Sequence, residues 1–171
     1  MGYFVLAKRI NSRVMKPKSI MVWAGITSTG KTDLIFIPPG TRINAKYYQD
    51  EIIKKVVIPF NPRIFQQDGA PAHSAKSTIS LLKKNFSKVW CKDIWPPYSP
   101  DLNPMDYSVW GILSAAIQGK RFAILEGLKV ALCRAWDQIM TEKVFHIVNS
   151  FKKRLQACVD AGGGNFEHLL K

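Results

Sequence analysis

Two aspartates stand in sequence settings that favour chemistry. Asp68 ends a short stretch, residues 63–68, that begins apolar and is typical of a strand, and Gly69 and Pro71 then force the chain to turn. Open α/β sheets place their ligand chemistry in the loops at the C-terminal ends of strands. Asp68 is therefore a candidate site residue, and the alternative is that it is an ordinary turn residue before a glycine.

The second aspartate, Asp106, follows a proline-rich stretch. Asn103 suits a helix N-cap and Pro104 suits the first helical position, so Asp106 falls in the first turn. It shares one helical face with the apolar residues Trp110, Leu113 and Ile117. An acid on a buried face needs a partner, and a divalent metal shared with Asp68 would supply one. The alternative is a first-turn acid that the helix dipole stabilises.

The segments around both aspartates resemble the catalytic domain of mariner-family (Tc/mariner) DDE/D transposases. They read QQDGAPAH around Asp68 and WPPYSPDLNPMDYSVW around Asp106, and residues 19–40 and 148–168 are similar to the family as well. The resemblance implies an α/β fold, an RNase H-like mixed sheet flanked by helices. It also implies DNA strand cleavage and transfer (DNA integration), with DNA as partner and the nucleus as location. A homodimer stays open.

In that family three carboxylates hold two divalent cations, Mg²⁺ or Mn²⁺. By resemblance, Asp68 matches the second carboxylate and Asp106 the third, so both are expected to be catalytic and metal-binding. The first carboxylate has no counterpart, because residues 1–32 contain no Asp or Glu and the earliest acid is Asp33. Residues 1–19 are basic and interrupted by Pro17, which predicts a basic arm or loop.

The fold is therefore expected to be N-terminally truncated, with its first, central strand absent. Accordingly, the sequence predicts a transposase catalytic-domain fragment that is inactive alone. The alternative is a non-catalytic DNA-binding or oligomerisation module derived from a transposase. Whether the chain is an enzyme stays open at this point.

Length and charge agree with a nucleic-acid partner. The 171 residues suit one domain, predicted as an arm over 1–19, a core over 20–118 and C-terminal helices over 119–171. The 25 Lys and Arg against 12 Asp and Glu give a net charge of +13, which favours a polyanionic partner such as DNA. No apolar run is long enough to span a membrane, and no membrane partner is expected.

Local patterns predict the elements that position the two acids. Strands are expected over 20–26, 34–37, 63–68 and 89–95, and helices over 45–57, 74–86, 125–139 and 144–159. Alternation of strands and helices after the first hairpin predicts a parallel portion added to an antiparallel one. His73 can face the metal site or the DNA, but the more common role for such a histidine is a loop residue bonded to nearby backbone.

Overall fold

The computed structural model describes residues 3–11, 19–96 and 99–170, and the side chains of residues 3–7, 9 and 11 lie outside the description. The strands are β1 Tyr3–Asn11, β2 Ser19–Thr27, β3 Gly30–Lys31, β4 Ile35–Ile37, β5 Phe65–Gln66 and β6 Val89–Trp90. The α-helices are α1 Ala45–Tyr47, α2 Ile58–Phe60, α3 Pro71–Ser74, α4 Lys76–Asn85, α5 Trp110–Ile117, α6 Leu125–Asp137 and α7 Thr141–Asp160. Two π-helical segments, Tyr48–Val57 and Met105–Val109, and two 3₁₀ turns, Pro100–Leu102 and Glu167–Leu169, complete the described elements.

The strands form one mixed sheet in the order β3-β2-β1-β5-β6, and β4 also pairs with β2. β1 runs antiparallel to β2, with Phe4 opposite Ile26 and Asn11 opposite Ser19. β5 runs parallel to β1, and β6 runs parallel to β5. The predicted combination of an antiparallel and a parallel portion is confirmed, and the carboxyl ends of β5 and β6 meet at one edge.

Strand β1 corrects the prediction for the N-terminus. The expected arm or loop over residues 1–19 is wrong for Tyr3–Asn11, and so is the expected absence of the first, central strand. Residues 3–7 are apolar without interruption, which favours a strand inside a sheet, and Pro17 comes six residues after the end of β1 in the sequence. Because β1 pairs with both β2 and β5, these two strands have a hydrogen-bonded neighbour at the place where the absent strand was expected. Residues 12–18 of the predicted arm lie outside the described residues.

Both faces of the sheet are covered by helices, and the side chains of β2 contribute to the cores on both faces. Its residues are buried almost throughout, as expected for a strand with helices on both sides. Val22 and Ala24 pack with α5, α6 and α7 on one face, in a core that contains Trp110 and Leu113. Trp23 points to the other core, which the π-helix Tyr48–Val57 and α4 complete through the side chains of Ile52, Ile53, Val57 and Leu82.

Two helices differ from their predicted form. The helix expected over 45–57 forms, but Tyr48–Val57 has the wider π register, and the N–H of Ile58 reaches the carbonyl of Ile53. The helix predicted over 144–159 forms as α7 and buries Val144 and Val148, whereas its apolar residues Leu155 and Val159 are 40% and 64% exposed. The second half of α7 packs on the core only through partly buried residues such as Phe151 and Cys158. None of the helices in the described part of the chain is long and apolar enough to cross a bilayer.

Candidate functional site

Asp68 lies two residues beyond β5, at the carboxyl end of the parallel strands. The backbone N–H of Ala70 donates to Asp68 Oδ1 at 3.1 Å, which forms the local turn that the glycine predicts. His73 Nδ1 lies 2.5 Å from the same oxygen. Asp68 therefore acts as a turn residue and faces the candidate site as well, so the two interpretations of the sequence are compatible.

The surroundings of Asp68 favour its ionised form. Burial alone would raise the pKa of this carboxyl. The hydrogen bond and electrostatic attraction of His73, together with the N–H of Ala70, outweigh burial, and the pKa lies below its ordinary value. At neutral pH Asp68 is a carboxylate, which is the form that can bind a cation.

Asp106 lies in a π-helical turn rather than an ordinary α-helical one. The segment Met105–Val109 has the wide register, and the N–H of Trp110 reaches the carbonyl of Met105. Asn103 caps the start as predicted, because its Oδ1 accepts the N–H of Met105 at 3.0 Å. Single π turns inside helices occur frequently at functional sites. The residue types give no signal for the π turn, since the same residues are compatible with an α-helix.

The carboxyl of Asp106 is only partly solvated, and in the described residues it has no hydrogen-bond or ion-pair partner. Its pKa is raised from 3.8 to about 6, chiefly by burial; Lys8 on β1 acts to lower this pKa, and the negative charge of Asp68 acts to raise it. The ionised form of Asp106 is therefore costly without a nearby cation. The predicted apolar face is present as well, because Trp110, Leu113 and Ile117 are buried.

The structure brings the two aspartates to one cavity of about 440 Å³. Its lining comes from the Asp68 turn and from the proline-rich segment before Asp106: Asp68, Gly69, Ala70, Trp95, Ser99, Pro100, Asn103 and Asp106. Asp33, the first acid in the sequence, is exposed and does not line this cavity. Pro97 and Tyr98 of the proline-rich stretch lie outside the described residues.

The donor set of the cavity fits a divalent cation in part. Asp68 Oδ2 accepts no hydrogen bond from the described residues, and Asp106 is a desolvated acid facing a second acid. Carboxylate oxygens of this kind suit Mg²⁺ or Mn²⁺, which retain several waters and need few protein ligands. Among the described side chains, however, no group of three or more His, Cys, Asp or Glu could hold a metal ion. The residues fit one cation held by two carboxylates, and they lack a third carboxylate for a second cation.

Three exposed basic residues surround the acid pair. Lys8 interacts electrostatically with Asp106, and Arg42 lines a second cavity of about 350 Å³ that also includes Asp68. Lys92 follows β6, and a Cβ added at Gly69 would lie 3.9 Å from the Cβ of Lys92. None of these three cations belongs to a salt bridge among the described side chains. We call Lys8, Arg42 and Lys92 the basic rim.

Comparisons with known families and proteins identify the family of this chain. The family model described as DDE superfamily endonuclease matches residues 13–129. The Tc3 transposase of Caenorhabditis elegans is 31% identical over 144 residues, which are 80% of this chain and 42% of that protein. Human histone-lysine N-methyltransferase SETMAR is 28% identical over 94% of this chain and 24% of its own length. The chain thus spans less than half the length of both relatives.

Solved structures match over almost the whole chain. The Mos1 transposase catalytic domain with Raltegravir and Mn has a TM-score of 0.79 at 25% identity, covering 97% of this chain and 84% of that one. The catalytic domain of Mos1 mariner transposase gives 0.77 at 25% identity, covering 95% and 83%. A Mos1 paired-end complex with the left transposon end gives 0.81 at 22% identity, covering 97% and 56%. This last match shows the fold alone, and together they confirm the RNase H-like fold.

Proposed function

Because the chain belongs to the DDE superfamily endonuclease family and corresponds to the catalytic domain of mariner-family transposases, we propose that it binds DNA at the Asp68–Asp106 cavity together with a divalent cation. The observation that carries the proposal is the meeting of two carboxylates from separate elements in one cavity, one of them without a hydrogen-bond or ion-pair partner among the described residues. Mg²⁺ or Mn²⁺ is the cation proposed, and the nucleus is the proposed location.

Each group of side chains has a distinct part in this proposal. Asp68 and Asp106 would hold the cation, which in phosphoryl transfer stabilises charge on the phosphate and activates an oxygen nucleophile. The basic rim would attract the phosphate backbone to the cavity mouth. The indole of Trp95 and the Asn103 side chain line the cavity and restrict its volume. All of these contributions concern binding and orientation.

We further propose that the chain does not cleave DNA by itself. Among its described lining residues the cavity has two carboxylates and lacks the third that the family's two-cation chemistry uses, and β1, which occupies the central place in the sheet, contains no acid. A second candidate function follows from the same observation, namely a non-catalytic DNA-binding module that retains the transposase fold. A homodimer is compatible with either function, and sedimentation analysis would test it.

Cation binding is tested by calorimetric titration of Mn²⁺ into the native chain. We expect binding in the native chain and its loss in Asp68→Asn and in Asp106→Asn, because each variant removes one of two carboxylate ligands. Asp93→Asn is the matched control, since Asp93 is an exposed acid outside the cavity and should leave binding intact. Native-like binding in both site variants would contradict the proposal.

DNA binding is tested by its salt dependence. Each phosphate contact changes the slope of log K against log salt by about −0.9. The triple variant Lys8→Gln, Arg42→Gln, Lys92→Gln should therefore reduce the slope by about 2 to 3 and weaken binding to any duplex sequence.

The control variant removes the same number of positive charges from three other lysines, which lie on α1 and on the π-helix Tyr48–Val57 and already form salt bridges with acids of that π-helix. These lysines bond Asp50 and Glu51, and they are Lys46, Lys54 and Lys55. Changing all three to Gln should alter the slope by less than the rim variant does. Equal effects of the two triple variants would mean that net charge, and not the basic rim, determines DNA binding.

A further inference from the structure

Two donors converge on one oxygen of Asp68. His73 Nδ1 lies 2.5 Å from Oδ1, and the N–H of Ala70 lies 3.1 Å from the same atom. A carboxylate can only accept, so His73 Nδ1 must carry the proton. The second oxygen, Oδ2, accepts no hydrogen bond from the residues that the structure describes. The two oxygens of Asp68 are therefore in different environments.

The imidazole of His73 is itself fixed by buried neighbours. Its side chain is 6% exposed, and its ring lies against the ring of Tyr48 with 4.2 Å between centroids. The backbone carbonyl of His73 accepts from Gln67 Nε2 at 3.0 Å, and Gln67 Oε1 in turn accepts from the Tyr48 hydroxyl at 3.1 Å. Burial against Tyr48 therefore restricts the ring, and Gln67 links the same tyrosine to the backbone of His73.

The imidazole of His73 contacts Asp68 and does not itself close the turn. The turn itself is closed by backbone groups, because the N–H of His73 donates to the carbonyl of Ala70 and the Ala70 N–H donates to Asp68. Gln67 also bonds the backbone of His73 and not its ring. In the described part of the chain, the imidazole has one polar contact, which is Asp68 Oδ1.

We propose that His73 is a positioning residue that fixes the Asp68 carboxylate with Oδ1 bonded to the protein and Oδ2 left for a divalent cation. The role rests on the cation binding proposed above. Carboxylates that bind metals are themselves commonly held by hydrogen bonds, and loss of such a partner typically lowers metal affinity by about 10- to 100-fold. Without His73, the carboxylate would have to be ordered when the cation binds, and its two oxygens would no longer be distinguished.

Two substitutions separate the donor from the bulk of the side chain. Asparagine places an amide N–H near the position of Nδ1, whereas glutamine reaches toward the position of Nε2. In Mn²⁺ titrations of the full chain, we expect His73→Asn to bind within about 3-fold of the native chain. We expect His73→Gln to bind about 10- to 100-fold more weakly. Should His73→Gln fold poorly, His73→Phe keeps a ring against Tyr48, lacks the donor and carries the same expectation.

Tyr48→Phe is the structural control. It removes the hydroxyl that donates to Gln67 but keeps the ring against His73, so melting temperature should fall while Mn²⁺ affinity stays within about 3-fold. When the native chain binds Mn²⁺, either of two results overturns the inference. One is that His73→Gln binds Mn²⁺ as tightly as the native chain. The other is that Tyr48→Phe weakens Mn²⁺ binding as much as His73→Gln does. A native chain that binds no Mn²⁺ would instead refute the cation site itself, and the role of His73 with it.

Discussion

Removal of the Asp106 carboxylate should make the metal-free protein more stable and less able to bind a cation. Most substitutions in a folded domain destabilise it, so a stabilising change at a candidate site residue is an unusual expectation. It follows from the partial burial of Asp106, from the nearby charge of Asp68, and from the absence of a described hydrogen-bond partner. Asp106→Asn keeps the shape of the side chain and removes its charge.

The magnitude follows from the pKa. Asp106 has a pKa of about 6 in the folded chain against an ordinary value of 3.8. A difference of about 2 corresponds to about 3 kcal/mol at 1.4 kcal/mol for each pKa unit. Because the carboxyl is only partly buried, water screens much of this cost, and we expect about 1 to 1.5 kcal/mol. For a domain of this size, that free energy raises the melting temperature of Asp106→Asn by about 2–6 °C.

The sign gives a defined pH window. A raised folded pKa means that the folded state binds the proton more tightly than the unfolded state, so this contribution to stability is fully present below about pH 4. It is lost as the pH rises through about 6. The stability gain of Asp106→Asn over the native chain should therefore be small at pH 4.5, grow through pH 6 and level off above pH 7. Asp68 affects stability in a separate pH range. Its pKa in the folded chain is lower than the ordinary value for an aspartate, so its contribution to stability is present above that ordinary value and is lost only as the pH falls below it.

The assay is urea unfolding of both proteins between pH 4.5 and 8, in chelator and again in Mn²⁺. Saturating Mn²⁺ at 100 times its Kd should add about 2.7 kcal/mol to the free energy of unfolding of the native chain. It should add far less to that of Asp106→Asn, so the order of stability reverses when the cation is present. A free-energy difference that does not change with pH, or a variant less stable than the native chain in chelator at pH 8, would refute the argument.

Two other predictions concern the frame around the acids. Phe4 lies opposite Gln66 in the parallel register, and continuing that register by two residues places position 6 opposite Asp68. Leu6→Asp would therefore supply a third carboxylate, and it should tighten Mn²⁺ binding and confer metal-dependent nicking. Leu6→Asn should do neither, and identical behaviour of the two variants would contradict this register argument. Arg154 donates to the Asp101 carbonyl at 2.7 Å and lies 4.1 Å over the ring of Tyr107. Arg154→Met should therefore cost about 2 kcal/mol in urea unfolding, and an unchanged midpoint would show that these contacts are not stabilising.

Local periodicity was sufficient to predict the helix that carries Asp106. Its capping residue and apolar face are properties of neighbouring positions, and the structure agrees with both, whereas the π register of its first turn had no signal in the sequence. The contact between His73 and Asp68 could not be derived in this way. It depends on the dihedral angles of the intervening turn and on the ring of Tyr48, which arrives from a different helix. The sequence favoured a loop histidine bonded to nearby backbone, whereas the ring contacts Asp68.

The prediction that failed, the absence of a central strand, joined two properties that the structure separates. The lack of an acid before Asp33 is a fact of the sequence, but it says nothing about whether the backbone forms a strand. β1 lies between β2 and β5 and also contacts the π-helical segment that carries Asp106. It can therefore hold Asp68 and Asp106 at one cavity while contributing no carboxylate to it. A strand that retains its place in the sheet but lacks the acid would leave DNA and cation binding intact and remove cleavage, which is the combination proposed for this chain.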